Sequence, residues 1–183
     1  MTVQRISRRT HRRAQRGNAL VFALLGLVIG GIVLALGVTQ FGDSERGASS
    51  QATISEINSI IGSAKENFGQ YNYSGMTTAA AITGRIIPEN LAATTTTAQN
   101  KYGGNITLVD NSSTTSGTAL LTYTNIPNSA CVRIVNGTHE LARRVQVGGT
   151  DVKPLDGSIS VNSLNTQCGS SSAVTIAWTI GRT

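Results

Sequence analysis

An uninterrupted apolar run dominates the N-terminal part of the 183-residue chain. Residues 18–42 contain no charged side chain, and residues 19–38 are all Ala, Val, Leu, Ile, Phe or Gly. Twenty residues of α-helix span about 30 Å, which is the hydrocarbon thickness of a bilayer. The pattern therefore predicts a membrane-spanning helix over residues 18–42.

A secretory signal peptide is the alternative interpretation of this segment, because it also joins a basic start to an apolar stretch. The apolar core of a signal peptide is usually about 7 to 15 residues long, which is shorter than the run seen here. Residues 37–41 also lack an Ala-x-Ala-like cleavage site. Both observations favour the membrane helix.

Small residues recur along one side of this predicted helix. They follow one another at spacings of four, three and four, and are Ala19, Ala23, Gly26 and Gly30. Gly-x-x-x-Gly is the pattern that lets two apolar helices approach closely in lipid. The stripe favours helix-to-helix packing, with a simple membrane anchor as the alternative.

An amphipathic pattern replaces the apolar one from residue 53 onward. Apolar positions recur at spacings of three and four, with polar residues between them, which is typical of a helix that buries one face. The apolar positions are Ile54, Ile57, Ile61, Ala64 and Phe68. We predict that this face packs against a sheet, in a helix that continues the first one over residues 43–69 with a flexible section at 41–47 and Gly69 as its C-cap.

Short strands, helices and loops are predicted beyond residue 70. A strand is predicted over residues 173–180, where alternate positions are apolar and their neighbours small or polar, which is typical of a half-buried antiparallel strand. The apolar positions are Val174, Ile176, Trp178 and Ile180. Further strands are predicted at 105–109, 119–124 and 143–147, and short helices at 77–83, 127–135 and 161–166. Ser160 is the expected N-cap of the last helix, and Gly148-Gly149 is the expected turn of a hairpin.

The net charge of +6 belongs to the N-terminus. Residues 1–17 contain six of the 15 Lys and Arg residues and no acid, so 9 basic residues face 9 acidic residues in the rest of the chain. A nucleic-acid-binding module needs its positive charge on a folded face, so we predict no nucleic-acid partner. By the positive-inside rule, the N-terminus stays in the cytoplasm and the C-terminal part lies outside.

Arg16-Gly17, followed by Asn18 and the long apolar helix, resembles the leader and N-terminal helix of type IV pilins and pseudopilins. The resemblance implies that a prepilin peptidase cuts between Gly17 and Asn18, and that the helix is first a membrane anchor and later the core of a filament. In the family, the fifth mature residue is usually a glutamate that pairs with a neighbouring N-terminal amine. Phe22 occupies that position here and cannot form the pair.

The landmarks of the C-terminal part resemble the type IVb subgroup, of the bundle-forming and toxin-coregulated kind. They are Gly84-x-Ile86-Ile87-Pro88, Gly103-Gly104, Ile126-Pro127-x-x-Ala130-Cys131 and a second Cys shortly before the Trp-bearing last strand. The resemblance implies an α+β type IV pilin fold, in which the long N-terminal helix packs on an antiparallel sheet beside a disulfide-closed C-terminal region. Its parts are a removable leader at 1–17, the membrane helix at 18–42, its continuation at 43–69, and a head at 70–183.

The chain has two cysteines, Cys131 and Cys168. An even count in an exported segment favours a disulfide, and closing a loop of about 40 residues contributes about 4 kcal/mol in the chain-entropy model. Two unpaired buried thiols are the alternative. A metal site is not predicted from two cysteines without a nearby histidine.

Residues suited to catalysis are scarce. The two histidines are His11, in the leader, and His139, which sits beside Glu140 in a polar stretch typical of a solvated turn. No Gly-x-Ser-x-Gly motif occurs, and the Gly148-Gly149 segment lacks the lysine of a phosphate loop. We predict no enzymatic activity, no cofactor and no metal.

These expectations combine into a structural subunit, a major pilin. It is anchored in the inner membrane, processed by prepilin peptidase, and polymerised at a pilus assembly platform into a helical filament of identical subunits. The extracellular filament would serve adhesion, aggregation or conjugative mating. The alternative is a minor pilin or a pseudopilin of a type II secretion system.

Overall fold

The computed structural model describes residues 24, 27, 28, 49–68 and 72–181. The chain divides into two compact units, Met1–Glu45 and Arg46–Thr183. In the first unit, Leu24, Leu27 and Val28 are helical and their side chains are exposed. Among the described residues, no helix combines the length and the hydropathy needed to cross a membrane.

Several predicted features lie outside the described residues. They are the cleavage site at Gly17 and Asn18, the helix-packing positions Ala19, Phe22, Ala23, Gly26 and Gly30, the flexible section at 41–47, and the C-cap Gly69. These features remain predictions from the sequence.

The second unit contains a six-stranded antiparallel sheet with the order β1-β2-β3-β6-β4-β5. The last strand of the chain, β6, lies near the centre of the sheet between β3 and β4. The strands are β1 (Ala98–Gln99), β2 (Asn105–Asp110), β3 (Thr118–Pro127), β4 (Arg144–Val147), β5 (Thr150–Lys153) and β6 (Ala173–Gly181). The antiparallel α+β prediction is confirmed.

In the described part of this unit, four α-helices accompany the sheet. They are α1 at residues 49–68, α2 (Thr78–Thr83), α3 (Asn128–Thr138) and α4 (Val161–Gly169), with 3₁₀ turns at Glu89–Leu91 and His139–Leu141. The Thr77 hydroxyl accepts a hydrogen bond from the Ala80 amide at 3.2 Å, and the Ser160 hydroxyl accepts one from Ser163 at 3.3 Å. These caps satisfy amides that have no partner inside α2 and α4.

The apolar face of α1 belongs to one core with the inner face of the sheet. Four of the five predicted positions, Ile54, Ile57, Ile61 and Ala64, are buried, and Phe68 is half-buried against the core. Ile60, which the predicted stripe omitted, is also completely buried. In the sheet, Tyr123 and Trp178 meet edge to face with their ring centroids 5.8 Å apart. A wide apolar face therefore fixes α1 to the rest of the unit.

The hairpin between β4 and β5 contains the predicted glycine turn. Gly148 and Gly149 have φ values of +58° and +82°, as a type I′ turn requires at both central residues. The strand that follows, β5, was not predicted because Val152 is the one buried residue among its four. The two-residue strand β1 was also not predicted, since it is too short to show alternation.

Some predicted boundaries were wrong. β3 continues to Pro127 past the predicted end at 124, because a bulge between Tyr123 and Ile126 absorbs Asn125 at φ +58°. The Asn125 side chain donates to the Tyr102 carbonyl at 2.6 Å, which holds the left-handed residue in place. Helices α3 and α4 also run three residues beyond their predicted ends, to Thr138 and Gly169.

Candidate functional site

A disulfide joins the two helices of the C-terminal part, which we call the disulfide region (residues 128–170). Cys131 of α3 and Cys168 of α4 are bonded, with their Cα atoms 5.6 Å apart, and both are buried. Each cysteine lies on the apolar side of its helix, next to Ile134 on α3 and Leu164 on α4. The predicted disulfide is therefore present, and it closes the segment that contains β4 and β5.

A buried hydrogen bond ties α3 to the central strand of the sheet. The Trp178 indole N–H donates to the Thr138 hydroxyl at 2.9 Å, and this hydroxyl donates to the Ile134 carbonyl at 2.7 Å. Trp178 and Thr138 are both fully buried. The bond satisfies the one polar atom of the tryptophan side chain, which would otherwise be costly to bury.

Two arginine–carboxylate pairs brace the turns of the disulfide region. Arg143 binds Asp156 with two of its guanidinium nitrogens, and Arg144 binds Asp151 in the same way at 2.7 and 2.9 Å. The hydrogen bond from Arg143 lowers the pKa of Asp156, whose backbone has φ +55°. Arg143 and Arg144, which are adjacent in the sequence, are thus both paired with acids of the same chain.

Polar contacts from α1 reach the end of α3. The Lys65 ammonium donates to the Leu141 carbonyl at 2.6 Å, and the Asn58 amide donates to the Gly137 carbonyl at 3.3 Å. A Cβ on Gly137 would lie 2.8 Å from Ile54, so glycine permits this close approach. α1 is therefore in contact with the disulfide region as well as with the sheet.

A second lysine, Lys153 on β5, binds the 3₁₀ turn His139–Leu141 and the residue after it. The Lys153 ammonium donates to the His139 and Ala142 carbonyls at 2.8 and 2.7 Å. Carbonyls at a helix end lack partners within the helix and attract positive charge. Lys65 and Lys153 thus serve as caps for the 3₁₀ turn His139–Leu141.

A cleft of about 180 Å³ opens between these two lysines. Its lining residues are Lys65, Glu140, Leu141, Ala142, Arg143, Lys153, Asp156 and Gly157. Burial, followed by repulsion from Lys153, lowers the pKa of Lys65. The cleft was missed from the sequence because Lys65 and Leu141 are 76 positions apart and no local pattern connects them.

His139 lies at the rim of this region. Its Nδ1 is 3.1 Å from the Asn136 carbonyl and its Nε2 is 3.4 Å from the Glu140 carboxylate. The Glu140 side chain is 85% exposed, as expected of a solvated turn, but the His139 side chain is only 20% exposed because it lies where α3 passes into the 3₁₀ turn. Within residues 49–68 and 72–181, and at 24, 27 and 28, no three His, Cys, Asp or Glu side chains are grouped to hold a metal ion.

A protein-family model described as PilS N terminal matches residues 48–181. The matched range begins one residue before the described part of α1 and ends with the last residue of β6. No curated protein matches the chain. The match thus includes α1, the sheet and the disulfide region, all of which belong to the second compact unit.

Proposed function

This chain belongs to the PilS N-terminal family, and on that premise we propose that it is a major pilin of the type IVb kind. Membership in this family gives the protein a pilus-associated role. In our proposal the chain is the repeating subunit of a surface filament that serves adhesion, aggregation or conjugative mating. The proposal assigns it no catalytic step, no cofactor and no nucleic-acid partner.

The observation that carries the proposal is the contrast between the described helix α1 and the apolar run before it. α1 buries Ile54, Ile57, Ile60 and Ile61 within the head, so this stretch is fully used in stabilising one subunit. Residues 18–42 contain no charge, although no globular core of this size requires twenty consecutive apolar residues. Such a segment suits a helix that is held first by lipid and then by neighbouring helices.

The charge distribution supports polymerisation of the processed chain. Removal of residues 1–17 takes away six arginines and leaves 9 basic against 9 acidic residues. Subunits that are nearly neutral do not repel one another when they are packed side by side. In the proposal, Ala19, Ala23, Gly26 and Gly30 line the helix contacts of the filament, and Phe22 contributes apolar surface there.

Biogenesis follows from the same features. The basic leader holds the N-terminus in the cytoplasm, the chain spans the inner membrane once, and the head lies in the periplasm. Prepilin peptidase then cuts between Gly17 and Asn18, and the assembly platform adds the subunit to an extracellular filament. The disulfide between Cys131 and Cys168 gives the exposed head resistance to unfolding outside the cell.

The test is to shear cells that express the chain and to analyse the released material by electron microscopy and N-terminal mass spectrometry. We expect long fibres that consist of this chain and begin at Asn18. A Gly17→Val variant should stay in the membrane with its arginine leader attached. Gly62→Ala is the matched control, because Gly62 is exposed and a Cβ there meets no atom within 4 Å.

Two outcomes would contradict the proposal. A processed chain that stays in the membrane fraction, with fibres made of another protein, would favour the minor pilin or pseudopilin alternative. An intact leader in cells that process other pilins would remove the pilin assignment of the cleavage site.

A further inference from the structure

We propose that the cleft between Lys65 and Lys153 binds a phosphate monoester group. This inference concerns a ligand site on the head and does not depend on filament assembly. It rests on the geometry of the two ammonium groups, the charges around them and the volume between them.

The two lysines have donors left over after their contacts within the chain. An ammonium group offers three N–H donors. Lys65 uses one of them, on the Leu141 carbonyl, and Lys153 uses two, on the His139 and Ala142 carbonyls. A ligand in the cleft can therefore accept hydrogen bonds from both lysines without breaking the caps that hold them in place.

Neither lysine forms an ion pair with a carboxylate among the described residues, although Lys153 attracts Asp156 and, after Arg143, helps to lower the pKa of that carboxyl. The ion pairs of this region join Asp156 to Arg143 and Glu140 to His139, and none includes Lys65 or Lys153. Asp156 gives both carboxylate oxygens to Arg143, and Glu140 points to solvent. Two half-buried positive charges thus face one cleft with backbone carbonyls as their hydrogen-bond partners, and an added anion could interact with both.

The charge and size of the cleft favour a phosphate monoester. This group carries a charge of about −1.5 to −2 at pH 7 and has three strong acceptor oxygens, so one group can bind two ammonium groups at once. The cleft volume of about 180 Å³ leaves room for the group and part of the molecule to which it is attached. Leu141, with 36% of its surface exposed, supplies an apolar wall for that part.

The test uses the full chain in a non-ionic maltoside detergent at constant ionic strength and pH 7. Glucose 1-phosphate and inorganic phosphate are titrated by isothermal calorimetry, with glucose as the neutral control. We expect saturable binding of both phosphates, with a dissociation constant of about 1 mM or lower. Tighter binding of the sugar phosphate would show that the attached group contacts the cleft, and equal binding would show that the phosphate alone is recognised.

Four variants distinguish the cleft from general attraction to a basic surface. Lys65→Gln and Lys153→Gln should each weaken phosphate binding about tenfold, since each removes a charge-assisted hydrogen bond. Lys101→Gln, at an exposed lysine over the Tyr102 ring, should leave binding unchanged. Glu140→Gln should tighten binding, because it removes a negative charge from the lining at a site exposed enough to leave folding intact.

Three results would overturn the proposal. They are a lack of saturable binding at about 10 mM phosphate, equal weakening by Lys101→Gln and the two cleft variants, and an unchanged affinity in Glu140→Gln. In each case the lysines would act as caps of the 3₁₀ turn alone. Melting curves of the variants without phosphate separate that structural effect from loss of the ligand.

Discussion

The face between α1 and the sheet and the disulfide region are held together by different kinds of interaction. The first is apolar, with Ile57, Ile60, Ile61 and Trp178 completely buried. The second contributes buried residues such as Ile134, Val145 and Val152 to the same core, and adds a disulfide, two arginine–carboxylate pairs and two lysines that bind carbonyls. Apolar burial holds the body of the head together, whereas the disulfide, the ion pairs and the hydrogen bonds fix the shape of the disulfide region. The following changes test that contrast.

Removal of the disulfide should have the largest effect. In the double variant Cys131→Ala/Cys168→Ala, the free energy of unfolding should fall by about 4 kcal/mol, because the unfolded chain is no longer closed into a loop. Urea denaturation of the variant and of oxidised wild type measures the change in the free energy of unfolding, and reduced wild type is the matched reference for the variant. Proteolysis of the variant should then begin in the disulfide region. If wild type resists protease equally well before and after reduction, the stability of this region does not depend on the disulfide.

Truncation of the apolar face should come next. Ile57→Ala should lower the free energy of unfolding by about 3 kcal/mol, since it leaves a cavity between α1 and the sheet. Val161→Ala is the control, because that side chain is 65% exposed and should change stability by less than about 0.5 kcal/mol. A similar cost for both variants would mean that α1 is not fixed by burial.

Loss of the bond between α3 and the sheet should have a smaller effect. Thr138→Val keeps the shape of the side chain but leaves the buried Trp178 N–H without an acceptor, at a cost of about 2 kcal/mol. Near-ultraviolet circular dichroism should show a changed tryptophan environment in the folded variant. Thr107→Val is the control, because the Thr107 side chain on β2 is half-buried, and it should change neither the spectrum nor the stability.

The pH dependence at the α1–sheet face should be the smallest effect. Tyr123 donates to the Glu56 carboxylate at 2.8 Å, and burial raises the pKa of Glu56 above that of a free glutamate side chain. The folded state therefore binds the proton of Glu56 more tightly than the unfolded state does. The stability that the protonated Glu56 contributes is present below about pH 4.5 and is lost as the pH rises through the folded pKa. Chemical denaturation at several pH values measures this loss.

Glu56→Gln should remove the loss of stability at rising pH, while its amide oxygen still accepts the hydrogen bond from Tyr123. The stability of the variant relative to wild type should therefore be greater at pH 7 than at pH 4. Asp156 works in the opposite direction, since Arg143 lowers its pKa and its contribution disappears as the pH falls through the folded value. An identical pH profile in wild type and Glu56→Gln would exclude the carboxylate as the source.

The same contrast explains how far the sequence predicted the structure. Apolar periodicity located α1 and β6, because burial leaves a regular pattern along the chain. The two cysteine-bearing helices were instead predicted from the residues at their starts, Pro127 and Ser160. It missed Ile60, since α1 packs against α3 as well as the sheet and so buries a wider face than one stripe. The cleft depends on pairs such as Lys65 and Leu141 that are distant in sequence, and no local pattern encodes such pairs.

The central claim is that this chain forms a filament through its N-terminal helix, and a reconstruction of sheared fibres tests it most directly. The account predicts that the chain begins at Asn18 and that residues 18–42 form the filament core, with Ala19, Ala23, Gly26 and Gly30 at the helix contacts and Phe22 buried among neighbouring helices. Fibres built from contacts between heads, with residues 18–42 outside the core, would contradict it.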